Sequence, residues 1–185
     1  MNTKSRDTRT RARLLLDAYI EALVGLFALR LEPVKEAVRT GAPEMTVLSS
    51  FEGEHVNLKA AHVVDTLTTS SGELKTAVGI LTAAFVAAMW DLLRSHAHYD
   101  MISTEPDIQF FRHLRNACGH DGNWNFTELK YPAEWRNKRL TMADAGQNAF
   151  DGNLKTGDVV LLFIDIDHKH FQQPSQYRLH LTEAK

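Results

Sequence analysis

The sequence predicts a mainly α protein, with a helical bundle over residues 1–130 and a small antiparallel β element over residues 131–185. Apolar residues recur at helical spacing through most of the first segment. After Gly122 the composition changes, and short apolar or alternating runs predict strands. A chain of 185 residues, of which 44% are hydrophobic, is long enough for one domain with a buried core.

The first forty residues predict two helices separated by a proline. Between Thr8 and Leu31, apolar side chains repeat every three or four residues. Pro33 ends or kinks this helix, or starts a further short helix over residues 34–40. A Gly-Ala-Pro loop at 41–43 follows, and residues 44–54 look irregular.

Two more helices are predicted before residue 100. Residues 55–69 show a weak helical pattern. Ser70 or Ser71 can cap the next helix, Glu73–Ala97, which is apolar on nearly every face between Ala77 and Trp90. A helix with so little polar surface is expected at the centre of the bundle or in a subunit interface.

The last predicted helix lies in "STEPDIQFFRHLRNACGH". Ser103 or Thr104 is its expected cap, and Pro106 suits its first turn. Gly119 provides a place for the chain to leave the helix. The expected apolar stripe consists of Ile108, Phe111, Leu114 and Cys118.

Three runs in the C-terminal segment predict strands. They are "EWRNKRLTM" at 134–142, the densely apolar "GDVVLLFIDI" at 157–166 and the alternating "YRLHLT" at 177–182. Turn-forming residues at Asp151–Asn153 and Thr156–Asp158 separate them. We expect these strands to form a β extension that packs on the bundle.

Composition and charge exclude several classes of protein. A net charge of −2 means that any binding of nucleic acid requires a local basic surface. The single cysteine, Cys118, rules out an internal disulfide and fits a reducing compartment. Asp17 and Glu21 interrupt the N-terminal apolar run, which argues against a signal peptide, and the uncharged stretch Thr76–Trp90 is shorter than the ~20 residues of a membrane span. We therefore expect a cytoplasmic protein that does not enter a membrane.

Residues 110–126, "FFRHLRNACGHDGNWNF", concentrate polar and titratable side chains between aromatic residues. Arg115, Asn116 and His120 form the pattern R-N-x-x-x-H. One guanidinium group can bind two phosphate oxygens at once, and an imidazole transfers protons near neutral pH. On an ideal helix Arg115 and His120 differ by roughly 140°, so unwinding at Gly119 would bring them closer. The alternative is a polar helix end, with Arg115 in a salt bridge and His120 bonded to carbonyls.

This stretch, followed by "PAEWRNKRL" and "GDVVLLFIDID", resembles the HEPN superfamily of higher eukaryote and prokaryote nucleotide-binding domains. The closest likeness is to a bacterial subfamily associated with plasmids and defence, and it covers residues 106–167 best. Members are helical bundles whose motif is Arg, a polar residue, three to five further residues and His. The resemblance implies a homodimer in which two motifs line one cleft and cut RNA without a metal or other cofactor.

The resemblance also implies roles for individual residues. Arg115 would orient the scissile phosphate, His120 would act as general acid or base on the ribose 2′-hydroxyl, and Asn116 would hold His120 or the phosphate in place. Asp121, beside His120, departs from the family pattern and could tune the imidazole or repel phosphate. Such a nuclease would serve as a toxin or defence effector with an antitoxin protein as partner. The alternative is a catalytically inactive domain that binds RNA, a nucleotide or a protein.

Further residues are candidates for supporting roles. Asp91 could pair with Arg115 across two packed helices, or it could begin the exposed end of its own helix. Possible RNA contacts are His113, Arg112, Trp124 and Arg136, together with the basic N-terminal residues Lys4, Arg6, Arg9, Arg11 and Arg13. Trp124 could instead close the bundle, and the N-terminal run could be a frayed end.

Two histidine pairs permit a third hypothesis, a metal-binding regulator. His96 and His98 would face apart on a helix, whereas His168 and His170 would share one face of a strand. The spacing supplies no third ligand, so structural or solvent-exposed histidines are the favoured interpretation. Cys118 is expected to be a core residue.

Overall fold

The computed structural model describes residues 3–41, 44–48, 55–69, 71–151 and 154–171. Over these ranges the chain forms seven α-helices, one short 3₁₀ helix and two antiparallel strand pairs. The predicted class, mainly α with a small antiparallel β element late in the chain, is confirmed. The α-helices are α1 (Thr3–Ala28), α2 (Glu32–Gly41), α3 (Ala60–Thr69), α4 (Ser71–Arg94), α5 (Tyr99–Ile102), α6 (Pro106–Cys118) and α7 (Thr156–Phe171). The strands are β1 (Glu44–Leu48), β2 (His55–Lys59), β3 (Glu134–Trp135) and β4 (Lys138–Arg139), and the 3₁₀ helix is Met142–Asp144.

The chain divides into two compact units. One consists of Met1–Arg13 with Ala83–Lys185, and the other of Leu14–Thr82. The predicted boundary near residue 130 does not coincide with the boundary between these units. The reason is that α7, in the predicted extension, packs into the same core as α6 and the second half of α4.

The unit Leu14–Thr82 contains most of α1 and all of α2, so that of the alternatives for Pro33 the start of a further helix is the one observed. Pro33 lies in the first turn of α2, where its missing N–H costs nothing because no helical acceptor is available there. In the interior of this unit, the hydroxyl groups of Tyr19 and Thr82 are 2.8 Å apart and hydrogen-bonded. On its surface, Arg39 donates to Asp65 at 2.6 Å.

The strand pair β1–β2 differs from the prediction. Met45 lies opposite Leu58, and Val47 lies opposite Val56, in an antiparallel register. The predictions of irregular structure over 44–48 and of a helix from His55 were therefore wrong. Val56 and Leu58 are two residues apart, a spacing that suits a strand as well as a short stretch of helix.

The segment predicted as a strand over 157–166 is part of α7, so that prediction was wrong. Four of its buried residues recur at helical spacing on one face, namely Val159, Leu162, Phe163 and Ile166, and Ile164 and Asp167 are buried beside them. Asp158 supports the start of the helix, because its carboxylate accepts a hydrogen bond of 2.9 Å from the backbone N–H of Lys155. The predicted strand 134–142 is shortened to the hairpin β3–β4 and the 3₁₀ helix. The predicted strand 177–182 lies outside the described residues.

Aromatic rings join three helices in the core of the other unit. Phe111 of α6 packs against Trp90 of α4, with ring centroids 5.8 Å apart, and against Phe163 of α7 at 6.5 Å. Phe85 of α4 also packs against Phe163, at 6.3 Å. Edge-to-face contacts of this kind add to the free energy gained by burial. α6 is therefore held centrally between α4 and α7.

α4 is the apolar helix that the sequence predicts. Its stretch Gly72–Arg94 is long and apolar enough to cross a membrane by length and composition alone, and 39% of the most apolar part is buried within the folded chain. Core helices of soluble proteins meet the same criterion. The side chains of Val86 and Met89 are completely buried, which agrees with a core position for this half of the helix.

The N-terminus of α6 is tied to the C-terminus of α7 by charged side chains. The N-cap is Glu105, not Ser103 or Thr104 as predicted, and it makes no side-chain capping bond. Next to it, the buried carboxylate of Asp107 lies 3.0 Å from Nε2 of His170 and 3.3 Å from Nζ of Lys169. Burial acts to raise the pKa of Asp107, but the bonds and charges of His170 and Lys169 outweigh it, so the pKa lies below its ordinary value.

We expect Asp107→Asn to lower the free energy of unfolding by about 1–3 kcal/mol at pH 7, and by much less near pH 3. The pKa of Asp107 is lower in the folded than in the unfolded chain. The ionised carboxylate therefore stabilises the fold above the unfolded value of about 3.9, and this stability is lost as the pH falls through the folded value. Urea titrations of both proteins at pH 7, 5 and 3 measure the difference. Asp100→Asn, at an exposed carboxylate, is the control. A difference that stays constant over this range would contradict the assignment.

Candidate functional site

α6 exposes one narrow stripe of residues. Its other faces are buried, through Asp107, Ile108, Gln109, Phe110, Phe111, His113, Leu114 and Ala117. Arg112, Arg115 and Gly119 are exposed, and Asn116 is half-buried. These four positions are related as i, i+3, i+4 and i+7, which places them on one side of a helix. We call Arg112, Arg115 and Asn116 the α6 stripe.

The α6 stripe is not held by other parts of the protein. Within the described part of the chain, the side chains of Arg112, Arg115, Asn116 and His120 make no hydrogen bond or ion pair. Other arginines do: Arg39, Arg136 and Arg139 approach carboxylates at 2.6, 2.7 and 3.0 Å, respectively. Two like charges three residues apart on a helix also disfavour folding slightly. The side chains of the stripe therefore add no hydrogen bond or ion pair that would stabilise the described fold.

The chain leaves α6 at Gly119, as predicted, because the helix ends at Cys118 and Gly119 is its C-cap. Gly119 keeps a right-handed conformation with φ of −82°, and the chain reverses two residues later, at Asp121 (φ 53°) and Gly122 (φ 80°). The backbone N–H groups of His120 and Gly122 both donate to the carbonyl of Ala117, at 2.9 Å. Aspartate is among the few residues that tolerate such a left-handed position. His120 lies in the turn that directly follows the helix, and its side chain is exposed.

Backbone hydrogen bonds hold the segment that follows His120. The N–H of Trp124 donates to the carbonyl of Gln147 at 2.9 Å, and the N–H of Gly146 donates to the carbonyl of Trp124 at 2.8 Å. The N–H of Ala149 donates to the carbonyl of Gly122 at 2.7 Å. A Cβ atom at Gly122 would lie only 3.0 Å from the side chain of Asn148. The turn after His120 is therefore fixed between α6 and residues 146–149.

Two residues predicted as RNA contacts are buried instead. His113 is 9% exposed and packs edge-to-face against Phe126, at 5.1 Å between ring centroids. Burial, followed by the charge of Arg112, lowers the pKa of His113, which favours the neutral imidazole. Trp124 is 2% exposed and packs against Phe110 at 5.8 Å, so it has no face open to a base. The alternative for Trp124, that it closes the bundle, agrees with this position.

Arg136, the fourth predicted RNA contact, belongs to another surface. Its guanidinium donates to Asp165 of α7 at 2.7 and 3.2 Å and lies over the ring of Trp135. The indole N–H of Trp135 donates to the same carboxylate at 2.9 Å. These residues line an open cleft of about 440 Å³ together with Lys169 and others. The charge of Arg136 is thus balanced within the protein.

The predicted supporting carboxylates do not contact the motif. Asp91 is exposed, and no ion pair joins it to Arg115 in the described ranges. This position agrees with the alternative, an exposed end of α4. Asp121 is exposed as well, and its role is in the backbone, since its left-handed conformation turns the chain after His120.

Among the described residues, neither histidine pair belongs to a group of three or more potential metal ligands. α7 is a helix, so His168 is exposed whereas His170 contacts Asp107. Nδ1 of the buried His96 accepts a hydrogen bond from the backbone N–H of His98. No group of three or more His, Cys, Asp or Glu residues suited to a metal occurs among the described residues. Burial raises the pKa of Cys118 to about 11, so its thiol stays protonated at neutral pH, as expected of a core residue.

Two residues beside the α6 stripe were not predicted from the sequence. Tyr99 is half-buried and packs edge-to-face against Trp90, at 5.9 Å. Burial raises the pKa of Tyr99, while the nearby charges of Arg112 and Arg94 act to lower it. The basic side chain of Arg94 is easily interpreted as a partner of the helix dipole, because it lies in the last turn of α4. The sequence gives no signal that the charges of Arg94 and Arg112 act on the same tyrosine.

The groups exposed here suit a phosphate-containing ligand. Two guanidinium groups can bind phosphate oxygens, an amide can donate or accept, and an imidazole can transfer a proton. Comparison of the chain with models of protein families, with curated proteins and with solved structures gave no match. Any assignment of function therefore depends on the geometry of the site.

Proposed function

We propose that this protein is a metal-independent endoribonuclease that acts through Arg115 and His120. The observation that carries the proposal is the α6 stripe. A helix buried on its other faces exposes Arg112, Arg115 and Asn116, followed at once by an exposed His120. Cationic side chains that have no partner inside the protein are suited to a phosphate from outside. The resemblance of residues 106–167 to HEPN domains supports the same assignment.

The reaction needs only positioning and proton transfer. The ribose 2′-oxygen attacks the adjacent phosphorus, the new P–O2′ bond forms, and the bond from phosphorus to the 5′-oxygen breaks. The products are a 2′,3′-cyclic phosphate and a free 5′-hydroxyl. One proton leaves the 2′-oxygen and one reaches the 5′-oxygen, and an imidazole can carry out either transfer. Arg115 would bind the non-bridging oxygens of the phosphate and stabilise their charge. Asn116 would position the imidazole of His120 or the phosphate.

A homodimer fits this chemistry. The proton donor and the proton acceptor act on opposite sides of the phosphorus, so two imidazoles serve better than one. A second copy of the chain would supply the second His120, and two α6 stripes would then face one RNA strand. In a cytoplasmic toxin or defence effector, an antitoxin protein would block this cleft.

A binding module is the second candidate function. Within the described residues no side chain orients the imidazole of His120 by a hydrogen bond, whereas catalytic imidazoles are commonly oriented in this way. An inactive domain would still bind RNA through the α6 stripe. It would not produce cyclic phosphate ends.

The test is cleavage of a fluorescent single-stranded RNA in the presence of EDTA. We expect cleavage that EDTA does not inhibit and products that carry 2′,3′-cyclic phosphate, identified by mass spectrometry. The same sequence as DNA lacks the 2′-hydroxyl and should remain intact. Binding of the RNA without cleavage would favour the inactive module, and cleavage of the DNA would contradict the mechanism.

A further inference from the structure

The α6 stripe continues onto the end of α4 and onto α5. The ring of Trp90 contacts both Phe111 of α6 and Tyr99 of α5, with centroid distances of 5.8 and 5.9 Å. Phe111 is followed directly by Arg112, the first member of the stripe. The buried ring of Trp90 therefore fixes the half-buried Tyr99 relative to Arg112.

Two cations flank this aromatic contact. Arg112 directly follows Phe111, and Arg94 lies one helical turn after Trp90 in α4; both are exposed, and both charges act to lower the pKa of Tyr99. Asp100 is the acidic residue that opposes them there. Across the described ranges of the chain, neither Arg94 nor Arg112 has an ion pair or a side-chain hydrogen bond. The surface thus has an excess of unpaired positive charge around a partly exposed aromatic ring.

We propose that Arg94, Tyr99 and Arg112 bind the RNA strand beside the phosphate that Arg115 and His120 act on. This inference depends on the proposed function and extends it. The two guanidinium groups bind neighbouring phosphates, and the exposed part of Tyr99 contacts a base. Cations that follow a backbone, together with an aromatic ring for stacking, are the usual means of binding a single strand without sequence preference.

An acidic protein is the competing ligand for such a surface. The aromatic ring of Tyr99 beside these cations favours RNA, since every base has a face that can stack on tyrosine. Substrates of different length test this arrangement. A dinucleoside monophosphate has a single phosphate and can occupy only the position at Arg115, whereas a longer strand extends to Arg112 and Arg94.

The experiment uses the His120→Ala protein, in which cleavage is expected to be about 10²–10⁴-fold slower. It measures binding of a labelled single-stranded RNA of twelve nucleotides at several KCl concentrations. In this background we expect Arg94→Ala and Arg112→Ala each to weaken binding and to reduce the slope of log K against log salt by about 0.7. Tyr99→Leu should weaken binding by about fivefold or more, while Tyr99→Phe, which keeps the ring, should not. The matched control is Arg139→Ala, since Arg139 pairs with Glu134 at the hairpin.

Cleavage assays of Arg94→Ala in a chain that keeps His120 give an independent readout. Arg94→Ala should raise KM for the twelve-nucleotide RNA and leave cleavage of a dinucleoside monophosphate unchanged. Thermal melts establish that each variant is folded. If Arg94→Ala and Arg112→Ala bind RNA as tightly as Arg139→Ala and with the same salt slope, the inference is wrong, even though cleavage by the parent chain would still support the nuclease. The inference is also wrong if these variants lose binding to an acidic protein but bind RNA as tightly as before. A parent chain that neither binds nor cuts RNA would refute both proposals.

Discussion

His120→Ala is expected to reduce the rate of RNA cleavage by about 10²–10⁴-fold. The exposed imidazole lies four residues after Asn116, the last member of the α6 stripe, and the proposed reaction requires proton transfer at two oxygens. Because the side chain makes no hydrogen bond, ion pair or ring contact within the described structure, the free energy of unfolding should change by less than about 0.5 kcal/mol. Single-turnover cleavage in EDTA and a urea titration measure the two quantities.

Variants of Arg115 complete this test. Arg115→Ala should also lower the rate strongly, and Arg115→Lys should restore little of it, because lysine keeps the charge but loses the planar pair of donors. Arg139→Ala removes an equal charge from another surface and should leave the rate unchanged. A His120→Ala protein that still forms cyclic phosphate at the parent rate would exclude the imidazole as the proton-transfer group.

Phe111→Ala is expected to lower the free energy of unfolding by about 3–5 kcal/mol. The ring is 1% exposed and contacts Trp90 of α4 and Phe163 of α7, so its loss leaves a cavity between three helices. Domains of this kind are stable by only about 5–15 kcal/mol, and such a loss is a large part of the total. Guanidinium unfolding at pH 7, followed by circular dichroism, measures it.

Two further variants show whether the loss comes from packing. Phe111→Leu fills most of the space and should cost considerably less than the alanine variant. Met142→Ala removes an exposed side chain and should change stability by less than about 0.5 kcal/mol. A loss below about 1 kcal/mol in Phe111→Ala would show that this ring does not join the helices as described.

The helical part of the fold was predictable because its apolar residues follow a single period. α1, α4 and α6 each bury a face that recurs every three or four residues, and turn-forming residues or prolines mark their ends. α7 was misinterpreted since "VVLLFI" is apolar at every position, which suits a buried strand equally well. The helical spacing of Val159, Leu162 and Ile166 was present, but only burial distinguishes these residues from their apolar neighbours.

The candidate site was predictable only in part. The exposure of Arg115 and His120 agrees with the prediction from the motif. Burial of His113 and Trp124 depends on Phe126 and Phe110, whose packing the local sequence does not determine. Arg136 pairs with Asp165, 29 positions further along the chain, and such a contact arises only from the tertiary fold.

The separation between the interior of α6 and its exposed stripe has an evolutionary consequence. Selection for a folded protein acts on Phe110, Phe111 and Leu114, and it does not act on Arg112, Arg115 or His120. Genetic drift can therefore remove the proposed activity from a descendant while its architecture persists. Only selection on activity itself would retain the arginine and the histidine together.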